Sequence, residues 1–176
     1  MRVLVTAATR HGSSSEIAAA IAAGLNERGI DAEAQTMGDV DELDGYDVVV
    51  LGSAVYMGRW LKQAREFAKA HADQLAGKQV WLFSSGPLGP TDHLVPPEEP
   101  ADTVELAQLT GAVEHRVFGG KLDKQQLSLA ERAITKAVHA PEGDCRDWAA
   151  IDAFAGRIAT HTAAVADTAR GETETK

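Results

Sequence analysis

The segment of this sequence with the clearest potential for chemistry is a run of hydroxyl side chains around one glycine. Its residues are Thr9, Arg10, His11, Gly12, Ser13 and Ser14. The run leads directly into a helical pattern, and the first N–H groups of a helix lack internal partners and carry the positive end of the helix dipole. Hydroxyl donors beside such N–H groups favour a phosphate group as ligand. The segment therefore predicts a phosphate-binding loop, in which Arg10 supplies additional positive charge.

The motifs of two common nucleotide-binding loops do not match this segment. It contains no Gly-Lys-Ser/Thr, so it is not a P-loop, and the absence of Gly-x-Gly-x-x-Gly disfavours a dinucleotide site. An ordinary helix start without a ligand is the remaining alternative, with Ser13 as the capping residue and Glu16 completing a capping box. On this segment alone, both interpretations stay open.

Two further segments of small residues follow later predicted strands. The first contains Ser53, Ala54, Val55, Tyr56, Met57 and Gly58, and the second contains Ser84, Ser85, Gly86, Pro87, Leu88 and Gly89. Small residues let a flat ligand approach the backbone, and Tyr56, Met57 or Trp60 could lie against it. For Trp60 the apolar pattern favours packing in the core instead. Together the three segments suit a ligand with one phosphate and one flat ring system, which describes FMN.

The elements that must position these segments are short apolar runs alternating with helical patterns, which predicts a parallel α/β sheet. The predicted strands cover residues 2–6, 30–34, 47–52, 79–84 and 113–118. The predicted helices cover residues 14–28, 60–74, 127–138 and 148–165. Residues 88–100 are rich in proline and acidic residues without periodicity, which predicts a long surface loop, a type of segment that often forms a lid or a binding loop.

Five strands with intervening helices predict a flavodoxin-like, doubly wound α/β fold with strand order 2-1-3-4-5 and helices on both faces. We expect one domain over residues 1–166 and a flexible tail over residues 167–176. In such a sheet, ligands bind at the carboxyl ends of the strands, where the strand order reverses. The three small-residue segments all follow strand ends, so they are expected to meet at that edge.

Composition limits the classes of partner. The chain has 176 residues and a net charge of −9, which disfavours nucleic acid and anionic lipid. No apolar stretch approaches the ~20 residues of a membrane span, and the N-terminal sequence lacks a signal-peptide pattern. The single cysteine, Cys145, fits a cytoplasmic location. The six histidines show no metal-ligand spacing, so no metal site is expected.

Three other features have an ordinary and a functional interpretation. His11 could make ligand binding depend on pH, Cys145 could be reactive, and an acidic cluster could dock a basic partner. That cluster comprises Asp39, Asp41, Glu42 and Asp44. The ordinary interpretation is favoured for each: a solvated loop histidine, an incidental surface thiol and a solvated connection.

The sequence also resembles a known family. The run VTAATRHGSSSEIA resembles the phosphate-binding loop of flavodoxins. The pieces YDVVVLGSAVYMGRW and FSSGPLG, and residues 143–148, resemble the branch of flavodoxin-domain proteins similar to the quinone-dependent protoporphyrinogen oxidase of bacteria. The resemblance implies that the hydroxyls of Thr9 and Ser14, with the N–H groups of residues 10–14, bind the phosphate of FMN. It also implies that residues 53–58 flank one side of the isoalloxazine and that residues 84–89 hold its other edge.

One segment departs from that branch. Residues 121–142 form a mixed-charge helical pattern without an aromatic residue, whereas the oxidase branch has a basic, aromatic-rich segment there. We expect an FMN-dependent oxidoreductase with a quinone-like or porphyrinogen-like small molecule as electron donor or acceptor. One alternative is an electron carrier that serves a redox protein, which the acidic charge favours. Another alternative is an interaction module that keeps the fold without the flavin. Nothing in the sequence indicates the oligomeric state.

Overall fold

Five long strands form one parallel sheet with helices on both faces. The structure is a computed structural model that describes residues 1–86, 100–123 and 143–173. In chain order the strands of this sheet are β1 (Arg2–Ala8), β2 (Asp31–Thr36), β3 (Val48–Tyr56), a two-residue β4 (Arg59–Trp60), β5 (Gln79–Gly86) and β6 (Glu114–Gly119). Their order is 2-1-3-5-6, with β4 antiparallel to β3 at the side. The predicted order 2-1-3-4-5 is therefore confirmed, because the fourth and fifth predicted strands are β5 and β6 when the short β4 takes its own number.

The helices and a small hairpin complete the fold. The helices are α1 (Ser13–Glu27), α2 (Lys62–Ala70), α3 (Ala72–Leu75), α4 (Thr103–Thr110) and α5 (Trp148–Thr173), with a 3₁₀ turn over Met37–Asp39. Strands β7 (Lys121–Leu122) and β8 (Gly143–Asp144) pair antiparallel beside the main sheet. Because successive strand residues point to opposite faces, β5 directs Trp81 and Phe83 towards α1 and α5, and Leu82 towards α2 and α4. Both faces of the sheet are therefore buried, which explains the continuous apolar runs.

Several element boundaries differ from the predictions. Trp60 does not start a helix but pairs with Val55 in β4, and the predicted helix 60–74 is divided at His71 into α2 and α3. Helix α4 was not predicted, since it buries only a short apolar face before Gly111 ends it with φ 64°. Helix α5 continues to Thr173, so residues 167–173 of the predicted tail are helical. The predicted helix 127–138 and residues 88–99 of the predicted loop lie outside the described residues.

A close contact in the core explains one of the small residues. Gly52 on β3 lies opposite Phe83 on β5, and both residues are buried. A Cβ atom added at Gly52 would lie only 2.0 Å from Cζ of Phe83. The aromatic ring occupies the space that any side chain at position 52 would need. Packing, rather than the approach of a ligand, therefore requires glycine at this position.

Candidate functional site

The three predicted segments meet at the carboxyl edge of the sheet. Ala8, which precedes the first loop, pairs with Ser53 on β3. Ala54 pairs in turn with Ser85 on β5. The described residues of all three segments therefore lie side by side, at the point where the strand order reverses. Pro87, Leu88 and Gly89 lie outside the described residues.

The first loop enters helix α1 through glycine. Gly12 is the N-cap residue, and its φ of 84° is a left-handed conformation that glycine adopts without steric cost. Among the described residues, no side chain caps the first turn of α1, so the capping-box interpretation is wrong. The hydroxyl of Ser13 instead accepts a hydrogen bond from Lys121 N at 3.1 Å, and the Glu16 carboxylate binds Arg146 at 2.5 Å. Within the described residues, the N-terminus of α1 is therefore without a side-chain cap.

Buried hydroxyls lie beside this helix end. Ser14 is only 1% exposed, and within the described part of the chain its Oγ has no hydrogen-bond partner. The Oγ1 atoms of Thr9 and Thr6 are likewise buried and unpartnered in that part. A buried polar group without a partner costs about 1–3 kcal/mol, so such groups usually serve a ligand or an ordered water. Hydroxyl donors next to an uncapped helix N-terminus fit an anion of phosphate type.

The loop between β1 and α1 contacts the β3–β4 hairpin through a stacked pair. The guanidinium carbon of Arg10 lies 4.6 Å from the centre of the Tyr56 ring. Arg10 and His11 are exposed, whereas Tyr56, at the end of β3, is half-buried. This cation–π contact directly links the first and second predicted segments.

The second segment is mostly strand rather than loop, which corrects the predicted end of the third strand at residue 52. β3 continues to Tyr56 because Ala54 pairs with β5 and Val55 pairs with β4. Met57 and Gly58 form the hairpin turn, with φ values of 52° and 73°. Met57 is 79% exposed at the tip. A left-handed conformation costs a non-glycine residue about 1–2 kcal/mol, so this turn is strained.

The hydroxyls of Ser53 in the second segment and Ser84 in the third form hydrogen bonds inside the fold. Ser53 Oγ accepts a hydrogen bond from Leu61 N at 2.9 Å, which closes the hairpin. Ser84 Oγ accepts one from Trp60 Nε1 at 2.7 Å and lies 2.8 Å from His115 Nε2. Ser84, Ser85 and Gly86 are buried residues of β5, which extends beyond its predicted end at residue 84. The buried Trp60 confirms the packing interpretation of that residue.

The sequence analysis did not predict that the β7–β8 hairpin and the residues next to it, 119–122 and 143–146, lie beside the first loop. Within this hairpin region, Cys145 N donates a hydrogen bond to Gly120 O at 3.0 Å. A Cβ atom at Gly119 would lie 1.9 Å from Cys145 O, so the two backbones approach as closely as glycine allows. The pair Gly119-Gly120 at a strand end was the signal that could have indicated this approach.

Arg146 connects this hairpin region to helix α1. Its side chain is 4% exposed, and its guanidinium donates to Asp144 at 2.8 and 2.6 Å and stacks 4.4 Å from the Trp148 ring centre. The same guanidinium reaches Glu16 in the first turns of α1. The carboxylates raise the pKa of Arg146, and the guanidinium holds the pKa of Asp144 at about 2. The cluster therefore positions the helix end that adjoins the buried hydroxyls.

Acid should weaken this cluster in a defined pH range. The folded-state pKa of Asp144 is about 2 against an ordinary value of 3.8, so its ionised form stabilises the fold above that value and loses this effect as the pH falls towards 2. Asp144 is 41% exposed, and solvent screening reduces the contribution to roughly 1 kcal/mol. The unfolding free energy of Asp144→Asn should therefore vary less steeply with pH than that of the wild type between about pH 4 and 2.

Urea unfolding at several pH values measures this slope. Arg146→Gln should remove the same pH dependence, because the depressed pKa of Asp144 comes mainly from its hydrogen bond with Arg146. The double variant should then show no further loss of slope. Identical slopes in wild type and Asp144→Asn would contradict the prediction.

Comparison with known proteins gives a consistent family. A family model for the flavodoxin domain matches residues 4–148. Protoporphyrinogen IX dehydrogenase (quinone) of Escherichia coli is 35% identical over 86 residues, which are 48% of this chain and 48% of that protein. The match with these curated relatives thus spans about half of their length.

Solved structures share the fold. A flavodoxin from the domain Archaea has a TM-score of 0.56 at 21% identity, covering 79% of this chain and 99% of that one. Rubredoxin oxygen:oxidoreductase of Desulfovibrio gigas has a TM-score of 0.63 at 13% identity, covering 93% of this chain and 36% of that one. None of the helices in the described residues is long and apolar enough to span a bilayer.

Proposed function

Because this chain belongs to the flavodoxin domain family, we propose that it binds FMN non-covalently and transfers electrons with it. The observation that carries the proposal comes from the described part of the chain, in which the N-terminus of α1 has no side-chain cap and the buried hydroxyl of Ser14 beside it has no partner. Without a ligand these donors would stay unsatisfied, which would lower the stability of the folded protein. A phosphate group supplies the acceptor oxygens and the negative charge that they lack.

Different residues would bind the phosphate and the ring system of the ligand. The hydroxyls of Thr9 and Ser14 and the N–H groups of residues 10–14 would hold the phosphate. The half-buried residues Val55 and Tyr56 would flank the ring system, while Ser85 and Gly86 lie on the neighbouring strand. Flavin supplies the redox chemistry when bound, and the protein supplies orientation and electrostatics.

The electron partner is proposed on separate grounds. The relatives named as protoporphyrinogen IX dehydrogenase (quinone) support an oxidoreductase that acts on a quinone-like or porphyrinogen-like molecule. The net charge of −9 supports the alternative, an electron carrier that docks on a basic redox protein. The single cysteine, Cys145, supports a reducing compartment such as the cytoplasm. Turnover of a quinone or porphyrinogen by the FMN-loaded protein favours the first; salt-sensitive reduction by a basic reductase favours the second.

A visible absorbance spectrum of the purified protein, followed by titration with FMN and riboflavin, tests the cofactor assignment. We expect flavin bands and much tighter binding of FMN than of riboflavin, because riboflavin lacks the phosphate. A colourless protein that binds neither compound would overturn the proposal and favour an interaction module of the same fold. Equal affinity for FMN and riboflavin would refute the phosphate site but not flavin binding itself.

A further inference from the structure

The β3–β4 hairpin, which carries Val55 and Tyr56, is held in place by a side chain at the start of helix α4. We infer that this side chain, the carboxylate of Asp102, is a positioning residue for the hairpin and thereby for the ring system of the ligand. The inference rests on the proposed function and adds to it a residue outside the three segments of the site. Asp102 acts through Trp60 and is not expected to touch the ligand.

The hairpin has little support of its own. Strand β4 consists of Arg59 and Trp60, which pair with Tyr56 and Val55 respectively. The turn between the strands includes Met57 in a left-handed conformation, which disfavours the turn. A pairing of two residues forms too few hydrogen bonds to fix a strand by itself. Contacts from other elements must therefore hold β4 in place.

Residues at the start of α4 bind the free edge of β4. In an antiparallel pair, alternate residues direct their N–H groups away from the partner strand. Trp60 N is directed in this way, since it donates a hydrogen bond to Asp102 Oδ1 at 3.2 Å. In addition, Ala101 N donates to Gly58 O at 3.0 Å. Two consecutive residues, 101 and 102, therefore hold the turn and the second strand of the hairpin.

The carboxylate of Asp102 is directed to the hairpin instead of to its own helix. Asp102 is the N-cap residue of α4, a position where aspartate usually accepts a hydrogen bond from an N–H group of the first helical turn. Within the described residues, its side chain forms no such bond. Its second oxygen, Oδ2, lies 3.5 Å from Nε of Arg65 on α2. The carboxylate thus connects α4 with α2 and β4 and leaves its own helix without a side-chain cap.

Burial makes the hydrogen bond between Asp102 and Trp60 difficult to replace. Asp102 is 7% exposed and Trp60 is 2% exposed. A buried N–H group that loses its acceptor destabilises the folded state unless it reaches water. Without the carboxylate, β4 would therefore have to move outwards to satisfy Trp60 N. Val55 and Tyr56 would move with it, because they pair with β4 beyond Ala54, the last residue of β3 that pairs with β5.

Titration of variants at position 102 with riboflavin and FMN tests the consequence for the ligand. In Asp102→Ala, the dissociation constants of both flavins should rise about 10-fold, because the lost hydrogen bond reduces the population of the hairpin that can bind. The factor should be equal for the two flavins, since the phosphate lies at the first loop. Asp102→Asn keeps an acceptor oxygen for Trp60 N and should restore most of the affinity. Unchanged affinity in Asp102→Ala, or an equal loss in Asp102→Asn, overturns the inference.

Two further variants separate positioning from stability. Thr103→Val is the matched control, because it removes a hydroxyl that donates to Pro100 O at 2.7 Å and leaves the bond between Asp102 and Trp60 in place. It should lower the stability and leave flavin affinity unchanged, and an affinity loss equal to that of Asp102→Ala would contradict the inference. Should Asp102→Ala not fold because Arg65 loses its partner, Asp102→Ala/Arg65→Gln removes both charges and should show the same loss of affinity.

A flavin-free measurement separates this inference from the proposed function. Because Trp60 N points away from β3, the alternate pair Tyr56–Arg59 carries the hydrogen bonds between the two strands. In Asp102→Ala, hydrogen–deuterium exchange at Tyr56 N should accelerate about 10-fold more than exchange at Val50 N in the middle of β3. Equal acceleration at both positions, or none at Tyr56, defeats the inference, whereas a wild-type protein that binds neither flavin defeats the proposed function.

Discussion

Replacing Ser14 with alanine is expected to weaken FMN binding by about 10–100-fold while stabilising the ligand-free protein. The loss follows from deleting one hydroxyl donor to a charged phosphate, a hydrogen bond worth about 1.5–3 kcal/mol. The gain follows from the same atom, because Ser14 Oγ is buried without a partner in the part of the chain that the structure describes. Removing an unsatisfied buried hydroxyl should raise the unfolding free energy by roughly 1 kcal/mol.

Isothermal titration and urea unfolding measure the two effects separately. Ser15→Ala is the matched control, since it removes an identical hydroxyl from the same helical turn at a less buried position. That variant should bind FMN as the wild type does. Riboflavin affinity should change little in Ser14→Ala, because riboflavin has no phosphate. A Ser14→Ala protein that binds FMN normally, or that is less stable than wild type, would show that this hydroxyl has another role.

Replacing Gly52 with alanine is expected to destabilise the fold by about 3 kcal/mol, as severe overpacking of a core does. The new Cβ would lie 2.0 Å from Cζ of Phe83, a residue with no solvent exposure. Phe83 in turn packs against Phe118 at a ring-centre distance of 6.1 Å, so its ring has little room to move. For a chain of this size, the midpoint of thermal unfolding should fall by about 6–12 °C.

A cycle of variants shows whether the ring is the cause. Phe83→Leu removes the part of the side chain that an alanine at position 52 would meet, so the double variant should be less destabilised than the two single effects predict together. Gly77→Ala provides the control, because its nearest contact would be an ordinary 3.9 Å to Gln74 O. Additive effects of the changes at positions 52 and 83 would contradict this role of the ring.

The sheet could be predicted because its signals are local. Each apolar run reports burial on both faces of one strand, and the right-handed crossover rule leaves few orders for five such strands. The position of the first loop before helix α1 follows from the same short-range pattern. Helix α4 escaped prediction because Leu106 is its one large apolar residue with almost no exposure.

The details of the site depend on partners that are distant in the chain. Ser13 and Glu16 have the spacing of a capping box, but their partners are Lys121 and Arg146, more than a hundred residues away. No short-range pattern anticipates such contacts. The hydroxyl of Ser84 is a further example, since its partners Trp60 and His115 lie 24 and 31 residues away in the chain.

The hydroxyls near α1 that have no partner within the described residues also have a consequence for the lifetime of the protein in a cell. A ligand that binds only the folded chain stabilises it by about 2.7 kcal/mol when its concentration is 100 times its dissociation constant. Without that ligand, Thr9 and Ser14 leave the folded state less stable, and the unfolded fraction on which proteases act is larger. The amount of this protein would then follow the supply of such a ligand through turnover alone, without any change in transcription.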